Sequence, residues 1–522
     1  MSKNIFIIGV GGTGVRCLES FIHMCAAGVF AGKDVHVLAL DTDFNNGNFT
    51  RSNSLFHLYD DLKGDKGAIE GICGAKIHWY QFSPHYEDKS GRSENDNKLS
   101  LLIRKSATQE QDEELAKLLF TESVQSFDLA KGYRAQTHLG SMLMYNSIVQ
   151  AYNDNNKSEM DKALSDFIDA MVKDTSARCF VIGSVFGGTG ASSIPVIPQA
   201  MKDAVAKKGT VGGNLDHVAW GTSILLSYFT FDADDTNLVS KEKVVANAAN
   251  FEINSQVALN YYLHDARVGQ SYRNIYLLGA EGKKPKRTPK AGTNARVAIG
   301  GSEQCNPVHY LEMFTVTAAD HFFDSIQMNG TRYYYRTIEG LQEENASLSF
   351  RSVTNSTEKA NDLAVSLLTL RTLAAEDVNN IQMTPKAIED NKGTISAHIE
   401  NVSSTALHEY LEQFDEWITQ MWESVDKGNR LFFTSEVYTR KGQDYFDNVI
   451  NKAFAPSIVS KTSEFKGTQP FGTKKVGGLF SKHDSALPVL ASNFESMENK
   501  DMSPAVLFAN TVKKALKKAY QF

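Results

Sequence analysis

The stretch Ile5-Phe6-Ile7-Ile8-Gly9-Val10-Gly11-Gly12-Thr13-Gly14 decides the fold class. Four consecutive apolar residues read as a buried strand, and the glycines after them read as a tight turn into a helix. The helix shows one apolar stripe at Val15, Leu18, Ile22 and Cys25, continued by Val29. A second strand follows at Val35-His36-Val37-Leu38-Ala39-Leu40 and ends at Asp41-Thr42-Asp43. Strand, glycine turn, helix and strand make a βαβ unit, so the sheet is expected to be parallel. The same order returns at Cys179-Phe180-Val181-Ile182, followed by Gly187-Gly188-Thr189-Gly190-Ala191-Ser192.

Both turns suit phosphate. Glycine permits positive φ and leaves no Cβ in the path of a ligand. Successive backbone N–H groups then converge on one anion, and the helix that follows adds its own unsatisfied N–H groups and dipole. Thr13, Thr189 and Ser192 add hydroxyls of little bulk. Two such turns in one sheet suggest that one holds part of a phosphate chain and the other the rest.

Composition narrows the remaining classes. A chain of 522 residues exceeds the size at which single cores divide, so two domains are expected. Charge is mildly acidic, 54 Lys and Arg against 61 Asp and Glu, for a net −7. No dedicated nucleic-acid surface is evident, because such surfaces need clustered cations. Cys17, Cys25, Cys73, Cys179 and Cys305 are odd in number and form no CxxC pair. They read as reduced thiols of a cytoplasmic protein rather than as a disulfide or zinc framework. No signal peptide and no membrane-spanning run are expected. The histidines lack metal-ligand spacing, so no metal site is assigned to protein ligands alone.

Along the chain, helices are predicted near 109–119, 139–149, 161–172, 198–205 and 244–263, and strands at 220–231 and 274–278. Residues 50–125 are polar and carry little periodicity. Residues 279–304, including Lys283-Lys284-Pro285-Lys286-Arg287, read as a solvated loop. Asn306-Pro307 reads as a helix cap and first turn, opening a helix of about 20 residues with its stripe at Val308, Leu311, Phe314, Ala318 and Phe322. Beyond it, Tyr333-Tyr334-Tyr335 and Leu348-Ser349-Phe350 hint at strands. Helices are predicted at 363–375, 407–425 and 512–518, the last one basic, with a glycine-rich stretch at 472–478.

On these motifs the chain resembles the tubulin/FtsZ superfamily, and more closely its divergent bacterial tubulin-like branch. Gly183-Ser184-Val185-Phe186-Gly187-Gly188-Thr189-Gly190-Ala191-Ser192 is similar to the family's GGGTGSG signature, with Phe186 in place of one glycine. Gly9 to Gly14 matches its first phosphate loop, and Leu40-Asp41-Thr42-Asp43 its "NTD", with Asp41 in place of Asn. Ser227-Tyr228-Phe229-Thr230-Phe231-Asp232 resembles a Pro-Phe-x-Phe-Glu stretch whose acid lies near the ribose. The resemblance covers roughly residues 3–330. It implies an α/β fold with a parallel Rossmann-like GTPase sheet flanked by helices, a long central helix, and a mixed α/β C-terminal region with a helical extension. The corresponding boundaries are 1–305, 306–330 and 331–522.

The resemblance also implies a function. GTP or GDP with Mg²⁺ would sit on Gly9, Gly11, Gly12, Thr13, Gly14, Gly187, Gly188, Thr189, Gly190, Ala191 and Ser192. Asp41, Asp43 and Asp232 would lie near the nucleotide or its metal, Asn306 near the base, and Arg134 near the phosphates. Gly140 belongs to the third loop by position. Subunits would assemble head to tail into filaments, and an unidentified protein partner would use the C-terminal region. In the family an acidic pair after the central helix reaches the next subunit's nucleotide. Here no N-x-D-x-x-D pattern is present, and Asp320 and Asp324 are the candidates, so slow hydrolysis is expected. Three other readings compete. One is a nucleotide-binding scaffold that does not polymerise. Another is a ThiF-like adenylating enzyme, which Asp41-Thr42-Asp43 with Asn48-Phe49-Thr50-Arg51 resembles but which has no use for the second turn. The last is a Rossmann oxidoreductase, for which no catalytic set is visible.

Overall fold

A computed structural model describes residues 4–63, 71–84, 98–100, 110–126, 129, 132–133, 135–209, 213–230, 248–280, 304, 306–324, 330–336, 356–375, 405–425, 432–445, 449–454 and 503–520. The chain opens with β1 (Asn4–Val10), α1 (Gly11–Ala26), β2 (Asp34–Leu40), α2 (Gly47–Lys63) and β3 (Lys76–Phe82). Helices α3 (Glu110–Leu119), α4 (Thr137–Asn153) and α5 (Glu159–Lys173) lead to β4 (Arg178–Ser184). Next come α6 (Thr189–Ser193), α7 (Ile197–Lys208), β5 (Ala219–Leu225), α8 (Phe251–His264), β6 (Tyr272–Leu278), α9 (Tyr310–Asp324) and β7 (Arg332–Arg336). Helices α10 (Thr357–Ala375), α11 (Thr405–Glu423) and α12 (Pro504–Tyr520) follow.

The seven strands form one parallel sheet in the order β3-β2-β1-β4-β5-β6-β7. Its central strands are apolar on both faces because helices cover both, as parallel sheets require. Period-two alternation divides β1 between two cores. Ile5 and Ile7 join the core formed with α1, α9 and the C-terminal helices. Phe6, Ile8 and Val10 join the core formed with α4, α5 and α7. The expected α/β class with a parallel, helix-flanked sheet is therefore present. Among the described residues, no helix is long and apolar enough to cross a membrane.

The structure revises several sequence expectations. Residues 50–125, which carry little periodicity, contain most of α2 and the whole edge strand β3. The strand predicted to reach 231 stops at Leu225, one residue before its last ladder bond, from the N–H of Leu226 to the carbonyl of Leu278. The helix predicted from 244 is described only from Phe251, after one 3₁₀ turn at Ala248–Asn250.

The central helix starts at Tyr310 and is described to Asp324, so Asn306 is not its cap. His309 performs that role: its Nδ1 accepts the N–H of Leu311 at 3.2 Å, and Glu312 Oε1 accepts the N–H of His309 at 3.2 Å. The reciprocal pair satisfies two donors at the helix start, in the manner of a capping box.

The described C-terminal residues add β7 to the sheet edge and otherwise form helices, with one antiparallel bridge between Phe433 and Phe454. These helices share the α1 core. Trp417 Nε1 donates to Ser20 Oγ at 2.9 Å, and the Trp417 ring lies 4.8 Å from that of His23. Asn510 Oδ1 accepts the N–H of Ile72 at 2.8 Å and so fixes α12 to the loop before β3. The hinted strand at 348–350, the basic run at 283–287 and the glycine-rich stretch at 472–478 lie outside the described residues.

Helix α9 approaches the sheet closely at Gly221 of β5. A Cβ there would stand 2.8 Å from Phe322 Cδ2 and 2.9 Å from Phe180 Cδ2. Gly221→Ala should therefore overpack this layer and lower stability by about 1–3 kcal/mol. Thermal unfolding measures it, and an unchanged midpoint would refute the close approach.

Candidate functional site

Strands β1 and β4 are neighbours, yet the chain leaves them in opposite directions, toward β2 on one side and β5 on the other. Open α/β sheets bind ligands at such a switch point, in the crevice beyond the carboxyl ends of the strands. Both glycine turns lie there. A Cβ on Gly11, whose φ is +70°, would stand 2.9 Å from the backbone nitrogen of Gly190 and 3.2 Å from Thr189 Cβ. The two motifs, nearly 180 residues apart in sequence, thus form one continuous surface.

The glycines divide by task. A Cβ at Gly9 would meet Leu18 Cγ at 2.6 Å, and one at Gly190 would meet the carbonyl of Ser184 at 2.6 Å. At Gly14 it would collide with the carbonyl of Ile182. These three glycines let helices and strands pack closely. Gly187 differs, since a Cβ there meets only Ser184 Oγ, at 3.7 Å. At Gly12 it meets only the carboxamides of Asn46 and Gln304, at 3.1 and 3.3 Å. Gly188 is in right-handed helical geometry, with φ −84°.

Helix α1 begins at Gly11, so Gly11, Gly12, Thr13 and Gly14 form its first turn, whose N–H groups have no intrahelical acceptor. Thr13 is half-buried in that turn.

The second turn is braced from behind. Ser192 Oγ donates to the carbonyl of Gly188 at 2.8 Å, so this hydroxyl fixes the turn. Tyr262 donates its hydroxyl to the carbonyl of Ala191 at 2.5 Å, and Ser141 donates to that of Ser192 at 2.7 Å. Gly140 packs directly on Ser192 and Tyr133, with no room for a Cβ. Phe186, which replaces a glycine of the resembled signature, packs into a buried aromatic group with Tyr228, Phe229 and Phe251, at 4.8–5.9 Å between ring centroids.

Acidic residues line the crevice at the end of β2. Asp41 is buried and accepts the Asn46 carboxamide at 3.0 Å. Burial, and then the neighbouring charge of Asp43, push its carboxyl up to about 7. Thr42 Oγ1 lies 3.1 Å from Thr189 Oγ1, which ties the end of β2 to the second turn. Gly132 closes over the same two hydroxyls at 3.8 and 3.9 Å from its ideal Cβ.

A chain of carboxamides continues from Asp41 around the first turn. Asn46 Oδ1 accepts the N–H of Asn48, Asn48 Nδ2 donates to the carbonyl of Gly12 at 3.3 Å, and Asn48 Oδ1 accepts the N–H of Asn306 at 3.3 Å. Asn306 is buried, and among the described residues its Oδ1 has no hydrogen-bond partner. An unpaired buried acceptor is costly, and it suits a ligand N–H. Asn46 was missed from sequence, and Asn48 was named only in the adenylating-enzyme resemblance; the run Asn45-Asn46-Gly47-Asn48, one residue beyond Asp41-Thr42-Asp43, is the signal that marks them.

The remaining candidates separate from this crevice. Arg134 and Asp232 lie outside the described residues. Asp320 and Asp324 lie on the last described turn of α9, near the amino ends of the central strands. Arg178, the first residue of β4, donates to the carbonyls of Phe322 and Phe323 at 3.0 and 2.8 Å. The second glycine turn follows the other end of that seven-residue strand, about 20 Å away. Asp320 and Asp324 both pair with Lys359. Among the described residues, no group of three or more His, Cys, Asp or Glu side chains could hold a metal ion.

No protein-family model matches this sequence, and no curated protein matches it significantly.

The Asp41 carboxyl carries a pH signature. In the unfolded chain it ionises near pH 4, roughly, so between about pH 4 and 7 the folded protein keeps a proton that the unfolded chain has released. Stability from this group is complete below that window and falls as pH rises through it. Asp41→Asn keeps an acceptor for Asn46 and removes the buried charge. It should stabilise the apoprotein at pH 8 by on the order of 2 kcal/mol, with the gain gone near pH 4, roughly. Thermal unfolding across pH tests this, and a loss of stability at pH 8 would show that the carboxylate is required by the fold.

Proposed function

We propose that this chain is a tubulin-like GTP-binding protein that assembles head to tail into filaments, with nucleotide between subunits and slow hydrolysis. One observation carries the reading: two glycine turns meet at the β1/β4 switch point, Gly11 against Gly190, and make one anion cradle. A single turn would serve a dinucleotide; two turns in contact suit a longer phosphate chain. The adenylating-enzyme resemblance has no task for the second turn.

The donor set also fits Mg²⁺. Asp41 and Asp43 place two hard oxygen donors beside the cradle, and a cation would offset the burial and, after it, the Asp43 charge that raise the Asp41 carboxyl. Two carboxylates do not complete a site, so phosphate oxygens would supply further ligands. The ion would neutralise phosphate charge. The unpaired Oδ1 of Asn306, reached through Asn48 from the first turn, supports a base contact. An acceptor there takes the ring and amino N–H groups of guanine.

The position of Asp320 and Asp324 supports assembly. About one strand length from their own glycine turns, they cannot reach a nucleotide held by the same subunit. In this reading they would act on one held by a neighbour stacked on that end of the sheet. Their engagement with Lys359 favours a second reading, a scaffold that binds nucleotide without turning it over.

Right-angle light scattering on adding GTP with Mg²⁺, with ATP as control, separates these readings. A rise specific to GTP is expected for the filament, whereas binding without a rise indicates the scaffold. Gly187→Val tests the cradle itself. The new side chain meets open space rather than protein, so the thermal midpoint should stay near that of the parent while nucleotide affinity falls by on the order of tenfold or more. Unchanged affinity would remove this turn from the site.

A further inference from the structure

The start of the central helix α9 is completed by side chains 112 and 114 residues further along the chain. A helix start carries N–H groups with no intrahelical acceptor. His309 and Glu312 satisfy the N–H groups of Leu311 and His309 locally. The N–H of Tyr310 donates instead to Ser424 Oγ at 3.0 Å, and the N–H of Val308 to Gln420 Oε1 at 3.0 Å. Gln420 lies in the last turn of α11, and Ser424 directly follows that helix. Val308 and Tyr310 are buried, so leaving either N–H unpaired would be costly.

Both acceptors are themselves fixed. Gln420 Nε2 donates to Glu416 Oε1 at 2.7 Å, which turns the carboxamide oxygen toward Val308. Ser424 Oγ donates its one proton to the carbonyl of Met421 at 2.6 Å, which leaves a lone pair for Tyr310. Trp417 of the same helix bonds Ser20 of α1. Two oriented acceptors on an anchored helix thus set the path of residues 308–310.

That segment begins beside the crevice. Asn306 stands two residues before Val308, and Pro307 between them has a fixed φ. The N–H of Asn306 donates to Asn48 Oδ1 at 3.3 Å, and Asn48 Nδ2 donates to the carbonyl of Gly12 in the first glycine turn. The segment that carries Asn306 is therefore held by the crevice at one end and by α11 at the other. Asn306 is 6 % exposed, and its Oδ1 has no partner among the described residues.

We propose that Gln420 and Ser424 are positioning residues for base recognition: from α11 they fix residues 308–310 and so aim the Asn306 carboxamide at the purine. This rests on the base contact proposed above, and it gives the C-terminal region a share in nucleotide choice. An acceptor at Asn306 favours guanine, whose ring nitrogen carries a hydrogen, over adenine, whose corresponding nitrogen is bare. Hydrogen bonds weaken steeply with misalignment, so loss of the α11 contacts costs selectivity first. Phosphate binding belongs to the glycine turns, to which neither residue contributes.

The test uses the full chain with GTP, ATP and inorganic triphosphate, each with Mg²⁺. Gln420→Met with Ser424→Ala keeps most of the bulk and removes both acceptors. It should lower the ratio of GTP to ATP affinity by on the order of tenfold, with triphosphate affinity equal to the parent's. Ser424→Ala alone should lower the ratio by a smaller factor, and it serves if the pair does not fold. Ser424→Thr, which keeps the hydroxyl, should keep the ratio. In an Asn306→Ala background the ratio is already lost, and adding the pair should change it no further, since residues acting through one group are not additive.

A pair variant with the parental ratio overturns the proposal. So does one that weakens GTP, ATP and triphosphate alike, which marks a purely structural role. If the parent does not prefer GTP, or if Asn306→Ala keeps the preference, the base contact itself fails and this proposal with it. The two failures are distinguishable, because the first leaves the loss of preference in Asn306→Ala standing.

Discussion

The close approach of β1 and β4 and their two glycine turns is the constraint on which the rest depends. Gly14 lies against the carbonyl of Ile182, Gly190 against that of Ser184, and Gly11 against Gly190. Any side chain at these points would separate the strand ends or tilt α1 off the sheet. The crevice is therefore a product of tight packing, and the contact between the two turns follows from it. The N–H groups of Gly11 to Gly14 have no intrahelical acceptor because α1 starts within the turn.

The region behind the first turn explains how distant parts of the chain share one core. Arg16 and Glu19 pair on α1, Arg51 of α2 bonds Glu19 at 3.1 Å, and Arg16 lies 3.7 Å from Glu312 at the start of α9. Glu312 also accepts Ser20, Tyr228 and the N–H of His309. Burying these charges is tolerable only because each has ionic and hydrogen-bonding partners. Through Ser20 and Trp417 the same group reaches α11. The first turn, the central helix and the C-terminal helices thus rest on one polar cluster.

How much of this was legible in the sequence varies by element. The turns, β1, β2 and β4 were readable because apolar runs and glycine clusters are local signals. Asp41, Asp43 and Asn306 were placed beside the cradle by motif order. The split of the glycines into packing and open positions was not readable, because it depends on what each missing Cβ would touch. Strand β3 was missed: as an edge strand, Lys76-Ile77-His78-Trp79-Tyr80-Gln81-Phe82 need not be apolar throughout. Asn306 resembled a helix cap, but His309 and Glu312 formed a better one, and Asn306 instead bonds Asn48.

By itself the sequence determined a parallel α/β sheet and two glycine-rich turns at strand ends, because strand periodicity and glycine conformation are properties of neighbouring residues. Only the tertiary structure decided that the two turns touch, that Asn46 and Asn48 join Asp41 to Asn306, and that Asp320, Asp324 and Lys359 form one group at the far end of the sheet. Each of these depends on the strand order β2-β1-β4-β5 and on where α9 lies against the start of α10. Those are set by packing between segments far apart in the chain, which local periodicity does not encode.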